Sequence, residues 1–348
     1  MLTFLSIHSF SYDMMSENIR EKDLSSMRKP YVFITRKINR EALIGLNESF
    51  VVNMWEYEEQ PVPRDILLEE AAKADALLTM LSDKVDLELL DAARNLKVIA
   101  NLAVGYDNID VAAATERGVT VCNTPDVLTD TTADLAFALL MATARRIVEA
   151  AEIVKAGKWT GWSPLLLAGH DIHHKTIGIV GMGKIGETVA KRATGFDMEI
   201  LYHNRSRNTE AEERLGVRYT SFEELITTAD FIVCLTPLTD ETAGMFNKEA
   251  FQKMKQSAIF INVSRGAVTD EDALFEALVK GEIAGAGLDV FKQEPIGSDH
   301  PLLTLPNVVA LPHIGSASAE TRQGMIMLCI ENISRVLYGG QPKTIVNP

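Results

Sequence analysis

Three side chains that together could bind an anionic substrate and donate a proton to it stand in the second half of the sequence. Arg265, Glu294 and His313 each follow shortly after an apolar run that is typical of a buried strand. Because ligands of open α/β sheets bind outside the carboxyl ends of the strands, we expect the three side chains to converge there. An arginine binds an anionic substrate, an imidazole donates a proton, and a carboxylate supports the imidazole. Each residue alone could also be structural, as a surface ion pair, a turn residue or a hydrogen-bonded core histidine.

A glycine-rich turn precedes these residues along the chain. The apolar run 176–180 leads directly into a GxGxxG pattern, after which helical spacing continues. The first glycine permits a tight turn, the second lets the backbone approach a pyrophosphate, and the third allows the helix to pack closely on the strand. The helix N-terminus adds free N–H groups and the positive end of a dipole. The pattern predicts that a dinucleotide binds at Gly181, Gly183, Lys184, Ile185 and Gly186.

The residues after the next strand indicate which dinucleotide is expected. Sites that select NAD place an Asp or Glu there, which binds the ribose 2′-hydroxyl. This chain has the neutral Asn204 at that position, followed by Arg205, Ser206 and Arg207. Arginines pair with a 2′-phosphate, whereas a carboxylate would repel it. The sequence therefore predicts a preference for NADP, used as NADPH. Use of NAD stays open, and so does the alternative that these residues form an ordinary exposed polar turn without a role in binding.

The elements that must position these residues alternate between short apolar runs and helix-period segments. This alternation is typical of an α/β fold with parallel strands that are covered on both faces. The runs are too numerous for one sheet of ordinary size, so two domains are favoured. The predicted strands are 31–35, 50–54, 75–81, 97–100, 119–121, 176–180, 198–202, 231–235, 258–262, 284–288 and 307–311. Helices are predicted at 87–93, 187–194, 270–280 and 318–338, with one long helix at 126–156.

Composition limits the classes of function. The 348 residues include 34 basic and 48 acidic side chains, for a net charge of −14. This balance argues against a nucleic-acid partner and against an anionic membrane surface. Cys122, Cys234 and Cys329 have neither metal-ligand nor disulfide-scaffold spacing, so we expect no metal and a reducing, cytoplasmic location. No apolar run predicts a membrane span, and residues 1–27 are expected to form a disordered tail.

Seven motifs follow one another along the chain, at 102–110, 123–125, 178–186, 262–266, 287–290, 293–295 and 312–316. Together they resemble the D-isomer-specific 2-hydroxyacid dehydrogenase family over residues 28–348. Within that family, the chain is most similar to glyoxylate/hydroxypyruvate reductases and 2-ketogluconate reductases. The resemblance implies NADPH-dependent reduction of a small 2-ketoacid to the D-2-hydroxyacid by hydride transfer. It also implies two Rossmann-like parallel-sheet domains, a flavodoxin-like substrate domain and a dinucleotide-binding domain, with an active-site cleft between them.

The resemblance implies roles for individual residues. His313 would be the proton donor, paired with Glu294, while Arg265 and the backbone N–H groups of Val104 and Gly105 would bind the substrate carboxylate. The implied substrate domain is 28–126 plus 313–348, the cofactor domain is 127–312, and a homodimer would form through 127–150. Further cofactor contacts are expected at Thr236, Pro237, Val263, Ser264, Arg265, Asp289, His313 and Gly315, with Asp289 holding the nicotinamide carboxamide.

Two other functions stay open at this point. A nucleotide-sensing interaction protein of the co-repressor type would keep the same residues. A phosphoglycerate dehydrogenase often carries a regulatory extension, for which the few residues after the last predicted helix leave no room. The choice among glyoxylate, hydroxypyruvate and 2-ketogluconate is also open. Residues 78–81, Trp159 and Trp162 are the candidates to distinguish these acids, unless the tryptophans only pack a loop or a dimer contact.

Overall fold

The computed structural model of this protein describes residues 28–347 as two α/β units. The first unit contains the described residues up to Pro125 and those from Arg322 onward, and the second is Asp126–Thr321. The predicted tail, 1–27, lies outside the described residues. The chain leaves the second unit later than the expected residue 313. Residues 313–321 stay with that unit because the N–H groups of His313 and Gly315 bind Asp289.

The first unit is built on a five-stranded parallel sheet with the order β2-β1-β3-β4-β5. This is the flavodoxin-like strand order. The strands are β1 (Tyr31–Ile34), β2 (Val51–Met54), β3 (Ala76–Thr79), β4 (Val98–Asn101) and β5 (Thr120–Cys122). The helices between them are α1 (Ile44–Ser49), α2 (Arg64–Ala71), α3 (Leu87–Ala92) and α4 (Val111–Glu116).

The second unit is built on a seven-stranded parallel sheet with the order β12-β11-β10-β9-β6-β7-β8. The order reverses between β6 and β9, where Rossmann-like sheets bind dinucleotides. Its strands are β6 (Thr176–Val180), β7 (Glu199–His203), β8 (Arg218–Tyr219), β9 (Phe231–Cys234), β10 (Ile259–Asn262), β11 (Gly285–Leu288) and β12 (Val308–Ala310). The helices are α5 (Thr129–Ala144), α6 (Ile147–Lys155), α7 (Lys184–Thr194), α8 (Thr209–Leu215), α9 (Phe222–Thr228), α10 (Lys248–Lys253) and α11 (Glu271–Lys280). The last helix, α12 (Ala319–Leu337), begins in this unit and belongs to the first unit from Arg322 onward.

The apolar runs of the sequence explain these sheets. Strands β3, β4, β9, β10 and β11 are buried at every position, as expected for parallel strands that are covered on both faces. The predicted α/β class with two parallel-sheet domains is confirmed. Every predicted strand has its counterpart in the structure, and among the strands of residues 28–347 only β8 was not predicted. Its two residues, one of them exposed, are too few to form an apolar run.

The predicted long helix at 126–156 is wrong. The structure has two helices there, α5 and α6, because the chain breaks at Arg146, whose φ of 52° is left-handed. The carbonyl oxygen of Ala144 accepts the N–H of His170 at 2.9 Å, so a later segment caps the end of α5. Gly169 lies so close to that carbonyl that a side chain there would overlap it. A long-range contact therefore ends a segment that local composition would continue.

Candidate active site

The backbone around His313 is held by one buried aspartate, Asp289, which follows β11. Its two carboxylate oxygens accept the N–H groups of Ile314 and Gly315, each at 2.8 Å. Its carbonyl oxygen accepts the N–H of His313 at 2.9 Å. His313 has a φ of 53°, a left-handed conformation that residues other than glycine adopt rarely. Three hydrogen bonds to one residue therefore hold His313 in an uncommon backbone conformation.

Asp289 is only 1% exposed. This burial raises the pKa of its carboxyl group, and the N–H groups of Ile314 and Gly315 and the charge of His313 offset the rise only in part. The family resemblance implied a contact between Asp289 and the nicotinamide carboxamide. The structure adds a role that the sequence did not predict, because Asp289 fixes the turn that carries His313.

Glu294 lies directly beside the imidazole of His313. Its Oε2 is 2.7 Å from Nδ1 of His313, and its Oε1 accepts the N–H of Phe291 at 2.9 Å. Burial raises the pKa of Glu294, but the hydrogen bond and charge of His313, the N–H of Phe291 and the charge of Arg265 outweigh it, so the pKa is lowered. An ionised carboxylate on Nδ1 stabilises the imidazolium and leaves Nε2 to act on a ligand.

Arg265 stands in a turn that the side chain of Asn262 organises. Asn262 ends β10 and is 1% exposed. Its Oδ1 accepts the N–H of Ser264 at 3.0 Å and the hydroxyl of Ser264 at 2.8 Å, and its Nδ2 donates to the carbonyl of Arg265 at 3.0 Å. The sequence did not single out Asn262. An amide at the end of an apolar strand, directly before a polar turn, was the available signal.

Gly266 brings this turn against the segment that leads to Glu294. A Cβ atom at Gly266 would overlap the carbonyl group of Phe291 and the nitrogen of Lys292. Only glycine permits so close an approach of two backbones. The charge of Arg265 is close enough to help lower the pKa of Glu294. Arg265, Glu294 and His313 are therefore brought together in the second unit, as a cation, a carboxylate and an imidazole.

The glycine-rich turn has the geometry that the sequence motif requires. Gly181 has a φ of 105°, and a Cβ there would lie 2.7 Å from the nitrogen of Thr236. A Cβ at Gly186 would overlap the carbonyl oxygen of Gly181, so the helix packs tightly on the turn. Among the described residues, nothing lies near the position of a Cβ on Gly183, and no side chain caps the N-terminus of α7 that Gly183 begins. This combination fits the pyrophosphate of a dinucleotide.

The turn after β7 places its polar residues unequally. Oδ1 of Asn204 accepts the N–H of Met182 at 2.9 Å, which ties this turn to the glycine-rich turn. Arg207 forms an ion pair with Glu212, with Nη2 and Oε2 at 2.6 Å. Arg205 is exposed and has no ion pair within residues 28–347, and Ser206 is also exposed. Of the two expected arginines, Arg205 therefore has the side chain that is available to an added phosphate.

The other expected cofactor residues lie at the same edge of the second sheet. Thr236 and Pro237 follow β9, Val263 and Ser264 follow β10, and Gly315 is held by Asp289. The side chain of Lys184 pairs with Asp126. Among the described residues, no group of His, Cys, Asp and Glu could hold a metal ion. Within the same residues, no helix is long and apolar enough to cross a membrane.

Val104 and Gly105 of the first unit lie in the loop after β4. Two asparagines that the sequence analysis did not identify hold this loop by hydrogen bonds. Nδ2 of Asn123 donates to the carbonyl of Val104 at 2.8 Å, and Nδ2 of Asn101 donates to the carbonyl of Gly105 at 2.9 Å. Within the described part of the chain, the N–H groups of Val104 and Gly105 have no acceptor. The loop therefore presents two N–H groups that could bind an anion.

Comparisons with known proteins agree with this geometry. The family model described as the NAD-binding domain of D-isomer-specific 2-hydroxyacid dehydrogenases matches residues 137–315. The glyoxylate reductase of Thermococcus kodakarensis is 50% identical over 92% of this chain and 96% of its own. That of Korarchaeum cryptofilum is 49% identical over 92% and 96%.

Solved structures agree as well. A protein of Thermus thermophilus has a TM-score of 0.86 at 44% identity, covering 91% of this chain and 99% of its own. An NADPH-dependent glyoxylate/hydroxypyruvate reductase of Sinorhizobium meliloti, in complex with NADP and malonate, has a TM-score of 0.80 at 35% identity, covering 92% and 97%.

The Rossmann-like sheet, the glycine-rich turn and the comparisons together define a dehydrogenase that uses a nicotinamide dinucleotide. More particularly, the chain belongs to the D-isomer-specific 2-hydroxyacid dehydrogenase family.

The lowered pKa of Glu294 predicts how the stability of the fold depends on pH. Because this pKa is lower in the folded protein than in the unfolded chain, ionised Glu294 stabilises the fold at higher pH, and the contribution is lost as the pH falls through the folded-state pKa. We expect the difference in free energy of unfolding between wild type and Glu294→Gln to shrink from about pH 5.5 to about pH 3.5. Urea titrations at each pH measure it.

The exposed Glu241, in the same unit, provides the matched control. The difference between wild type and Glu241→Gln should stay nearly constant over the same range. A Glu294→Gln difference that is constant or grows toward acid pH would show that the charge of Glu294 is not stabilised in the fold.

Proposed function

We propose that this protein reduces glyoxylate and related small 2-ketoacids to D-2-hydroxyacids, with NADPH as the preferred reductant. The observation that carries the proposal is the 2.7 Å contact between Glu294 and Nδ1 of His313, beside Arg265 and at the sheet edge that holds the glycine-rich turn. A proton donor with a carboxylate partner, an anion-binding cation and a dinucleotide turn are the groups that reduction of a ketoacid needs.

Each group has a distinct task in the proposed reaction. The bound dinucleotide supplies the hydride. His313 donates the proton on Nε2 to the oxygen that becomes the hydroxyl group, and Glu294 stabilises the imidazolium that holds this proton. Arg265 binds the substrate carboxylate, together with the N–H groups of Val104 and Gly105. The imidazole of His313 is 25% exposed, so it can take a new proton from water after each turnover.

Relatives support glyoxylate as the first substrate to test. Curated relatives at 49–50% identity are named glyoxylate reductases, and the Sinorhizobium structure is that of a glyoxylate/hydroxypyruvate reductase. Among residues 78–81, Leu78 and Thr79 are buried, whereas Met80 and Leu81 are partly exposed. Met80 and Leu81 are therefore the members of this segment that could contact the group beyond C2 of hydroxypyruvate or 2-ketogluconate.

The preference for NADPH rests on the turn after β7. A carboxylate is absent where NAD-selective sites carry one, and Asn204 instead binds the backbone of Met182. Arg205 is exposed without an ion pair among the described residues, so it can pair with a 2′-phosphate without first leaving a carboxylate. Arg207 would have to share its guanidinium with Glu212. We assign the selectivity mainly to Arg205.

A homodimer is the partner that the exposed apolar residues support. Half of the residues of α5 are buried in the second unit, but α6 has no buried residue. Val154 is 57% exposed, Trp162 81% and Leu165 83%. Apolar side chains so exposed in one stretch mark an interaction surface. A second copy of this chain would cover them, which moves the expected dimer contact from 127–150 toward residues 147–166.

Replacing His313 by Ala should lower the rate constant for glyoxylate reduction by about 100- to 10,000-fold, because the proton donor is lost. The dissociation constant for NADPH should change less than about twofold. Consumption of NADPH, followed by its absorbance, measures the rate, and fluorescence titration measures binding. A variant as fast as wild type would remove His313 from the reaction.

The wild type should use NADPH with a kcat/KM at least about tenfold above that for NADH. One hydrogen bond from a charged group contributes about 1.5–3 kcal/mol, or about tenfold to 150-fold. Asn204→Asp combined with Arg205→Ala should narrow or reverse the ratio, because it adds a repelling carboxylate and removes the free cation. Equal use of both cofactors by the wild type would contradict the assignment.

The dimer can be tested by placing a charge at its centre. Leu165→Glu should convert a dimer, measured by light scattering during size-exclusion chromatography, into a monomer, because a buried unpaired carboxylate is costly. Val279→Glu is the matched control, since Val279 is another apolar residue of this unit, 59% exposed, on α11. A wild-type monomer, or equal dissociation by both variants, would contradict this interface.

A further inference from the structure

A chain of hydrogen bonds links residues 343–347, the C-terminal segment, to the loop after β4 in the first unit, which carries Val104 and Gly105. It begins at Asn332 on α12, which is fully buried. Nδ2 of Asn332 donates to Oγ1 of Thr344 at 2.8 Å, and this hydroxyl donates to the carbonyl oxygen of Asn123 at 2.7 Å. Oδ1 of Asn332 accepts the backbone N–H of Lys343 at 2.8 Å, so both polar atoms of the Asn332 amide bind the C-terminal segment.

The chain continues through peptide groups in one direction. The carbonyl of Asn123 shares its peptide group with the N–H of Thr124, and this N–H donates to the carbonyl of Ala103 at 2.8 Å. The carbonyl of Ala103 in turn shares its peptide group with the N–H of Val104. Donor and acceptor therefore alternate without a break from Asn332 to the N–H of Val104.

A separate hydrogen bond from the side chain of Asn123, the residue whose carbonyl Thr344 holds, reaches the second N–H. The side chain of Asn123 donates to the carbonyl of Val104 at 2.8 Å, and that carbonyl shares its peptide group with the N–H of Gly105. Both N–H groups proposed to bind the substrate therefore belong to peptides whose carbonyls are hydrogen-bonded to residues 123–124. Hydrogen bonds in the chain that ends at Val104 polarise one another, which strengthens this N–H as a donor. They also fix the orientation of each peptide plane.

We propose that Thr344 and Asn332 are positioning residues for the substrate carboxylate, acting through Asn123 and Thr124 on the N–H groups of Val104 and Gly105. This inference rests on the proposed function, which assigns those N–H groups to the carboxylate. A substrate carboxylate is bound before and during the reaction, so loss of this chain should weaken binding more than it slows the chemical step.

Thr344→Val tests the inference, because it removes the hydroxyl and keeps the shape of the side chain. We expect KM for glyoxylate to rise about three- to tenfold, as for the loss of one hydrogen bond, while kcat changes less than about twofold. The inhibition constant of oxalate, which also carries a carboxylate, should rise by the same factor, and KM for NADPH should not change. Thr344→Ser keeps the hydroxyl and should restore wild-type values.

The matched control is Thr115→Val on α4. Oγ1 of Thr115 accepts from Nδ2 of Asn347 at 2.9 Å, so its loss also removes a hydroxyl contact to the C-terminal segment, but away from Asn123. It should leave KM for glyoxylate unchanged, and the melting temperatures of both variants are compared alongside. An unchanged KM in Thr344→Val, or an equal rise in Thr115→Val, would overturn the inference while the reductase assignment stands. A wild type inactive with glyoxylate, hydroxypyruvate and 2-ketogluconate would overturn the proposed function, and the inference with it.

Discussion

The buried carboxylate of Asp289 is the constraint on which the candidate active site depends. It accepts the N–H groups of Ile314 and Gly315, and its own carbonyl accepts that of His313. An unpaired buried carboxylate is costly, so these donors and the acid need one another. The turn that results holds His313 in a left-handed backbone conformation beside Glu294. One acid organises the backbone, and a second acid supports the imidazole.

The remaining site residues are positioned in two other ways. Amide side chains at strand ends bind the backbone of the following turn, and glycines let two backbone segments approach closely. Asn262 closes the Arg265 turn, and Asn101 and Asn123 hold the loop of the first unit. Gly266 lets the Arg265 turn contact the backbone before Glu294. Each device fixes main-chain groups rather than side chains. Loops at the ends of a rigid sheet thereby keep the precision that catalysis needs.

Much of the fold and of the candidate site could be predicted from the sequence, because apolar runs and the GxGxxG turn are local patterns. The runs gave the two parallel sheets, and the residues after them gave Arg265, Glu294 and His313. The break at Arg146 was not predictable locally, since it depends on a contact between Ala144 and the distant His170. Pairing of Arg207 with Glu212 and the asparagine contacts depend on side-chain geometry that no pattern specifies.

In the proposed reaction, His313 delivers the proton to a 2-ketoacid whose carboxylate Arg265 binds. A crystal structure with NADP and a 2-hydroxyacid product such as glycolate tests both roles. We expect Nε2 of His313 within about 3 Å of the oxygen on C2, a carboxylate oxygen on the guanidinium of Arg265, and Glu294 still on Nδ1. A product whose C2 oxygen lies away from His313, with another side chain in hydrogen-bond contact with it, would show that His313 is not the proton donor.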